Sequence, residues 1–196
     1  APSAPKSTTS SFTASRRPTP CAKATSWAST LWWSLTGSWA TAATPFTVGE
    51  VDPKTVDLLR TTKESLYVGI AAAKAGKRIG DIANAIQTYC EHRNYSVVRE
   101  MCGHGIGKSM HEDPEVPNYG RRGIGPVLRN GMCICIEPMI NMGSRNITID
   151  RDGWTCRTRD HKPSAHFEHT LAIVDDEPRV LTTFDYISEA LQDRFI

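Results

Sequence analysis

The chain has no Cys-x-x-Cys pair, no block of like charges, no apolar run of bilayer length, no acidic residue before Glu50 and no histidine before His92. Each absence closes off a class of protein. Without Cys-x-x-Cys there is no zinc-ribbon or zinc-finger spacing, and a chain of 196 residues does not depend on disulfide staples. Cys21, Cys90, Cys102, Cys133, Cys135 and Cys156 are therefore expected as reduced, buried thiols. A formal net charge of +2 with scattered basic residues leaves no electrostatic footprint for DNA or a membrane surface. The missing apolar span and the missing charged-then-apolar leader predict a cytoplasmic protein. With 39% hydrophobic and 22% charged residues, one globular core is expected.

What is present divides in two. Residues 1–46 are rich in Ser, Thr, Ala and Pro, hold four of the five tryptophans, and follow neither helical nor strand periodicity over a useful window. They read as a disordered segment. From Thr47 the character changes. Asp52-Pro53 is an N-cap followed by a first-turn proline, predicting a helix to about Ala75, closed by Gly76, with Val56, Leu59, Leu66 and Val68 inward. A second helix is predicted from near Asp81 to Arg93-Asn94, with Ile82, Ala85, Ile86 and Tyr89 on one face. Strands are predicted at Ser96–Arg99, Met132–Glu137, Arg145–Ile149, Trp154–Thr158, Phe167–Val174 and Arg179–Thr182, with a short helix from Ser188. This is an α+β pattern, an antiparallel sheet with helices on one face.

Three places carry chemistry. His104 stands between Gly103 and Gly105, where the backbone can turn tightly and leave the imidazole facing open space; His111 follows, with Glu112 and Asp113. From these residues alone, a site and a pair of surface histidines weigh equally. Glu137 ends the strand-like Cys133–Glu137, and Glu168 opens the apolar run to Val174. A carboxylate at the end of a buried strand costs free energy unless it is paired or bound to a cation. A buried ion-pair network would need Arg or Lys nearby, and none is adjacent in sequence. One imidazole and two carboxylates suit Mn, Fe, Co or Zn.

The runs C-G-H-G-I-G-K-S-M-H-E-D-P-E-V-P from Cys102, N-G-M-C-I-C-I-E-P-M-I from Asn130, and Asp152-Gly153-Trp154-Thr155 through S-A-H-F-E-H-T ending at Thr170 resemble type I methionine aminopeptidases. The resemblance spans roughly 47–183. It implies the pita-bread (creatinase/aminopeptidase-like) fold, two divalent metal ions (Co, Mn, Fe or Zn) and removal of the initiator methionine from nascent chains, possible company of the ribosome, and a monomer. By the same resemblance His104, Glu137 and Glu168 are metal ligands, Glu168 bridging both ions, and Glu137 is also the proton shuttle. His111 would contact the scissile amide and steady the oxyanion, while Met110 and Trp154 would line the methionine pocket. Two other readings stand beside it: an Xaa-Pro peptidase of the same fold, and a non-catalytic peptide- or ribosome-binding relative.

The family also needs two aspartates eleven residues apart and a His-Gly-Ile-Pro segment, all upstream of the first helix, and this chain has none. The N-terminal half of the fold is thus expected to be incomplete and the chain as written inactive or impaired. The genetic code suggests why. Phe12-Thr13-Ala14-Ser15-Arg16 can be encoded so that reading one base earlier yields Val-His-Gly-Ile-Pro. A threonine codon read one base earlier becomes Asp whenever G precedes it, and Thr30 and Thr41 are eleven apart. Trp39-Ala40 forces a glycine directly before the Thr41 position. Residues 1–46 therefore read as an out-of-frame translation, non-homologous as written, and 47–196 as the C-terminal part of the catalytic domain.

Overall fold

The computed structural model describes residues 25–153, 155–192 and 196. The described chain opens on a hairpin, β1 (Thr25–Leu35) and β2 (Ser38–Val48), paired along their whole length. Thr36 at φ 51° and Gly37 at φ 81° supply the positive dihedrals that a two-residue hairpin connection demands. This corrects the expectation of disorder for 25–46; residues 1–24 lie outside the described residues. Thr and Trp are stiff, pleat-filling strand formers, and they flank a workable turn. The pattern hid because residues 41–45 are buried consecutively, which erases the alternation of a half-buried strand.

Helix α1 (Pro53–Ala72) starts as its sequence predicts, with the Asp52 carboxylate accepting from Lys54 N at 2.8 Å and Pro53 in the first turn. It ends three residues before Ala75, and Gly76, at φ 80°, turns the chain away. Its buried apolar face is Leu58, Leu59, Leu66 and Ile70, with Val56 and Val68 only partly covered. Helix α2 (Ile79–Glu91) begins two residues before Asp81, whose carboxylate accepts from Arg78 N at 2.9 Å. Ile82 and Ile86 are fully buried, and a Cβ on Gly69 would lie 2.7 Å from Ile86 Cδ1, so α1 and α2 meet where the first helix has no side chain.

Ten shorter strands follow: β3 (Ser96–Val97), β4 (Gly103–Gly105), β5 (Glu112–Val116), β6 (Cys133–Ile136), β7 (Met139–Asn141), β8 (Ile147–Ile149), β9 (Cys156–Thr158), β10 (Ser164–His166), β11 (Glu168–Val174) and β12 (Glu177–Val180), before α3 (Asp185–Leu191). Among the described residues the main sheet runs β1-β2-β11-β6-β4-β5, with β12 also on β11, and every pairing is antiparallel. A smaller sheet runs β10-β7-β3, and β8 pairs β9. The predicted strands are present, most of them shortened at their ends, and the last is shifted two residues earlier, to Glu177–Val180; β1, β2, β4, β5, β7 and β10 were not anticipated.

Helix α1 touches β6, β7 and β10, and the core between them holds Leu58, Leu66, Ile86, Ile134, Ile136, Ile140, Phe167 and Leu171. Burying side chains of this size contributes about 1.5–3 kcal/mol each. The hairpin buries Thr41, Ala42, Ala43 and Thr44 instead, so its attachment to β11 depends more on hydrogen bonds than on apolar area. Among the described residues no helix is long and apolar enough to cross a membrane. Five cysteines are described, none of them in a disulfide; Cys90 and Cys135 are buried, whereas Cys156 is exposed, contrary to expectation, at the end of the solvent-facing β8–β9 ribbon.

Candidate metal centre

His104 sits in the middle of β4, between β5 and β6. Its flanking glycines are required, though not for a turn. A Cβ on Gly103 would fall on the carbonyl oxygen of Cys135 in β6, and one on Gly105 on that of Asp113 in β5. The three backbones approach too closely for any side chain, and the histidine is the one residue of the strand that projects a group. Its Nδ1 lies 2.9 Å from Gly105 O. A carbonyl only accepts, so Nδ1 carries the proton and Nε2 keeps a lone pair, the tautomer a metal ligand needs.

That Nε2 lies 3.6 Å from Oε1 of Glu137, which follows β6 directly. The other Glu137 oxygen, Oε2, lies 3.3 Å from Nε2 of His166 at the end of β10. Glu168, only 3% exposed, opens β11 and accepts a hydrogen bond from the Thr41 hydroxyl of β2. Burial, and next the charge of Glu137, hold the Glu168 carboxyl above its ordinary pKa. The Cys135 thiol is pushed up to about 12 by burial and lies 3.1 Å from Thr41 Oγ1. Potential ligand atoms gather in two overlapping triads, His104–Cys135–Glu168 and Glu137–His166–Glu168, each with its atoms within 4.8 Å of one another. The three anticipated ligands are thus brought together, divided between two triads that share Glu168.

His111 lies across from His104 with ring centroids 4.3 Å apart. A cleft of about 530 Å³ is lined by Cys102, Gly103, His104, His111, Glu112, Asp113 and Glu115, which makes its mouth acidic. Met110 is half-buried in the same β4–β5 connection and is not on the cleft wall. Trp154 lies outside the described residues.

The sequence pattern of metallopeptidase family M24 matches residues 34–175. The chain belongs to this family. The match begins inside the hairpin, at residue 34. A methionine aminopeptidase of Clostridium perfringens is 49% identical over 148 residues, 76% of this chain and 59% of that protein. The M24 chain therefore spans about three-fifths of the length of the curated relatives it matches. The solved methionine aminopeptidase of Rickettsia prowazekii superposes with a TM-score of 0.79 at 39% identity, over 81% of this chain and 64% of that one. The prolidase of Pyrococcus furiosus shares the pita-bread fold alone, at 20% identity and a TM-score of 0.62 over 81% of this chain and 41% of that one.

Family M24 implies a divalent metal, and the donor set fits one. Two carboxylates are held together in a buried site where, among the described residues, neither meets a lysine or arginine. They are faced by a histidine whose Nε2 is turned toward Glu137 while Nδ1 is engaged by Gly105 O. Three residues of this site had escaped sequence reasoning: His166, Thr41 and, as a possible donor, Cys135. His166 could have been found from its spacing, since in a strand the residue two before Glu168 shares its face. Thr41 gave no signal as a threonine. The register supplies it: Thr30 pairs with Ala43, Ala43 pairs with Glu168, and Thr41 lies two residues from Ala43 on the same face. Both threonines named by the reading-frame argument therefore share the face of Glu168.

Proposed function

We propose that this site belongs to a metal-dependent aminopeptidase that removes N-terminal methionine from nascent polypeptides, and that the chain as written is impaired in it. The carrying observation is the gathering of His104, Glu137 and Glu168 ligand atoms beside an acidic cleft that His104 and His111 line. His104, Glu137 and Glu168 would hold the ion, and Cys135 or His166 could add a donor. When bound, the ion supplies Lewis acidity toward the scissile carbonyl. In this reading Glu137 would take up and return a proton, and the His111 ring, exposed beside His104, would donate an N–H to the oxyanion. The acidic rim of Glu112, Asp113 and Glu115 suits the ammonium group of a free peptide N-terminus. Trp154 would form the methionine-side wall, with Met110 off the cleft wall in the adjoining connection, and the enzyme works as a cytoplasmic monomer, near the ribosome.

Impairment follows from Thr41 and Thr30. A neutral hydroxyl stands where the family pattern needs a carboxylate, so one ion loses charge compensation and geometry. The test is hydrolysis of Met-Ala-Ser and Ala-Pro peptides by the Co(II)-loaded chain. Slow, chelator-sensitive release of methionine with no cleavage of Ala-Pro is expected. Faster cleavage of Ala-Pro would replace this reading with that of an Xaa-Pro peptidase, and metal-independent binding of peptide without turnover with that of a non-catalytic relative.

A further inference from the structure

We propose that His166 is a metal ligand of this chain, closing Glu137 and Glu168 into a nitrogen-plus-two-oxygen cradle for a divalent transition ion. The proposal rests on the metallopeptidase reading and adds to it a residue that the resemblance does not name. Three observations carry it.

The first is placement. Phe167, fully buried, packs into the core against Phe184 with ring centroids 6.1 Å apart. Its neighbours His166 and Glu168 accordingly face the other way, toward the site. Phe167 N donates to Pro138 O at 3.4 Å, and His166 pairs with Met139 across the β10–β7 ladder. The segment carrying Glu137 is thereby tied to the segment carrying His166 and Glu168, so the three side chains are held by backbone contacts and not by one another.

The second is an unmet need. His166 Nε2 is shielded from solvent and, among the described residues, has no hydrogen-bond partner, although Glu137 Oε2 is 3.3 Å away. Buried nitrogens with nothing to bond are rare and call for an explanation. The third is charge. Two carboxylates and an imidazole have their ligand atoms mutually within 4.8 Å, and a dication among them would balance the acidic pair and satisfy Nε2 together. An imidazole with two carboxylates favours Zn, Co or Fe over Mg or Ca.

Calorimetric titration of the full chain with Co(II) alone tests this, with H166Q and H166D beside the parent and each fold checked by thermal unfolding in chelator. Expected are at least about tenfold weaker binding by H166Q, the scale on which metal sites respond even to loss of supporting groups, and near-parental binding by H166D, which keeps a donor. A second measurement needs no substitution: Co(II) should slow modification of His166 by diethylpyrocarbonate in the parent, read by peptide mass. Parental affinity in H166Q, or unprotected His166, would overturn the assignment while leaving the metallopeptidase reading in place. A parent that takes up no Co(II) would end that reading and this one with it.

Discussion

Thr41 shows how much one side chain decides. Its hydroxyl satisfies a buried Glu168 oxygen without adding charge, which suits the metal-free chain and serves the metal poorly. T41D is expected to reverse both effects. In chelator at pH 7 the added carboxylate has no cation, and unfolding should show a loss of about 3 kcal/mol. With Co(II) present, calorimetry should show binding about tenfold tighter or more, a change on the scale of losing or gaining an orienting group. Of the site residues, His104, Glu137 and Glu168 were legible because each is an anomaly in its surroundings, polar among glycines or at the end of an apolar run. Thr41 was not, because a threonine in a strand is ordinary and only the register β1-β2-β11 brings it to Glu168.

Among the elements, the helices were the readable ones. Their caps are local chemistry: Asp52 and Pro53 act where the sequence places them, Asp81 caps α2 from its third position, and Gly76 turns the chain a few residues past the end of α1. Strands β4 and β5 were hidden because glycines and acidic residues do not announce a strand; their pairing is imposed by β6. The hairpin was hidden by burial on both faces. Its seam with β11 offers a sharp test: the Thr170 hydroxyl accepts from Thr41 N at 3.0 Å and donates to Thr41 O at 2.8 Å. T170V keeps the shape and strands two buried backbone groups. It should cost about 1–3 kcal/mol in urea unfolding, whereas an isosteric change at an exposed strand position should cost little.

For the molecule as a whole, the family match over residues 34–175 and the three-fifths coverage of relatives describe a part of an M24 domain that takes in the second strand of the hairpin. If residues 1–46 are translated out of frame, a chain re-coded one base earlier over that stretch should bind about two ions where the present chain binds about one, as two-metal hydrolases do. Metal analysis after gel filtration measures it, and an unchanged ratio would count against the frame argument. Burial predicts thiol chemistry as well. Burial pushes the Cys90 thiol up to about 11, so the folded state favours the neutral thiol; this contribution is fully present below about 9, where the unfolded thiol ionises, and is lost as pH rises from there through 11. At pH 8 an aromatic disulfide reagent should label exposed Cys156 quickly and Cys90 only after unfolding.

The close approach of β4 to its neighbours also sets the terms for anyone building variant libraries around this site. Positions 103 and 105 are closed: G103A alone would drive β6 outward at a cost of about 3 kcal/mol, and a selection would return glycine there whatever activity was sought. Position 104 is open, since its side chain leaves the sheet for the cleft. The donor can therefore be exchanged for cysteine, aspartate or asparagine without rebuilding the frame that aims it, which makes this strand a fixed socket with a replaceable tip.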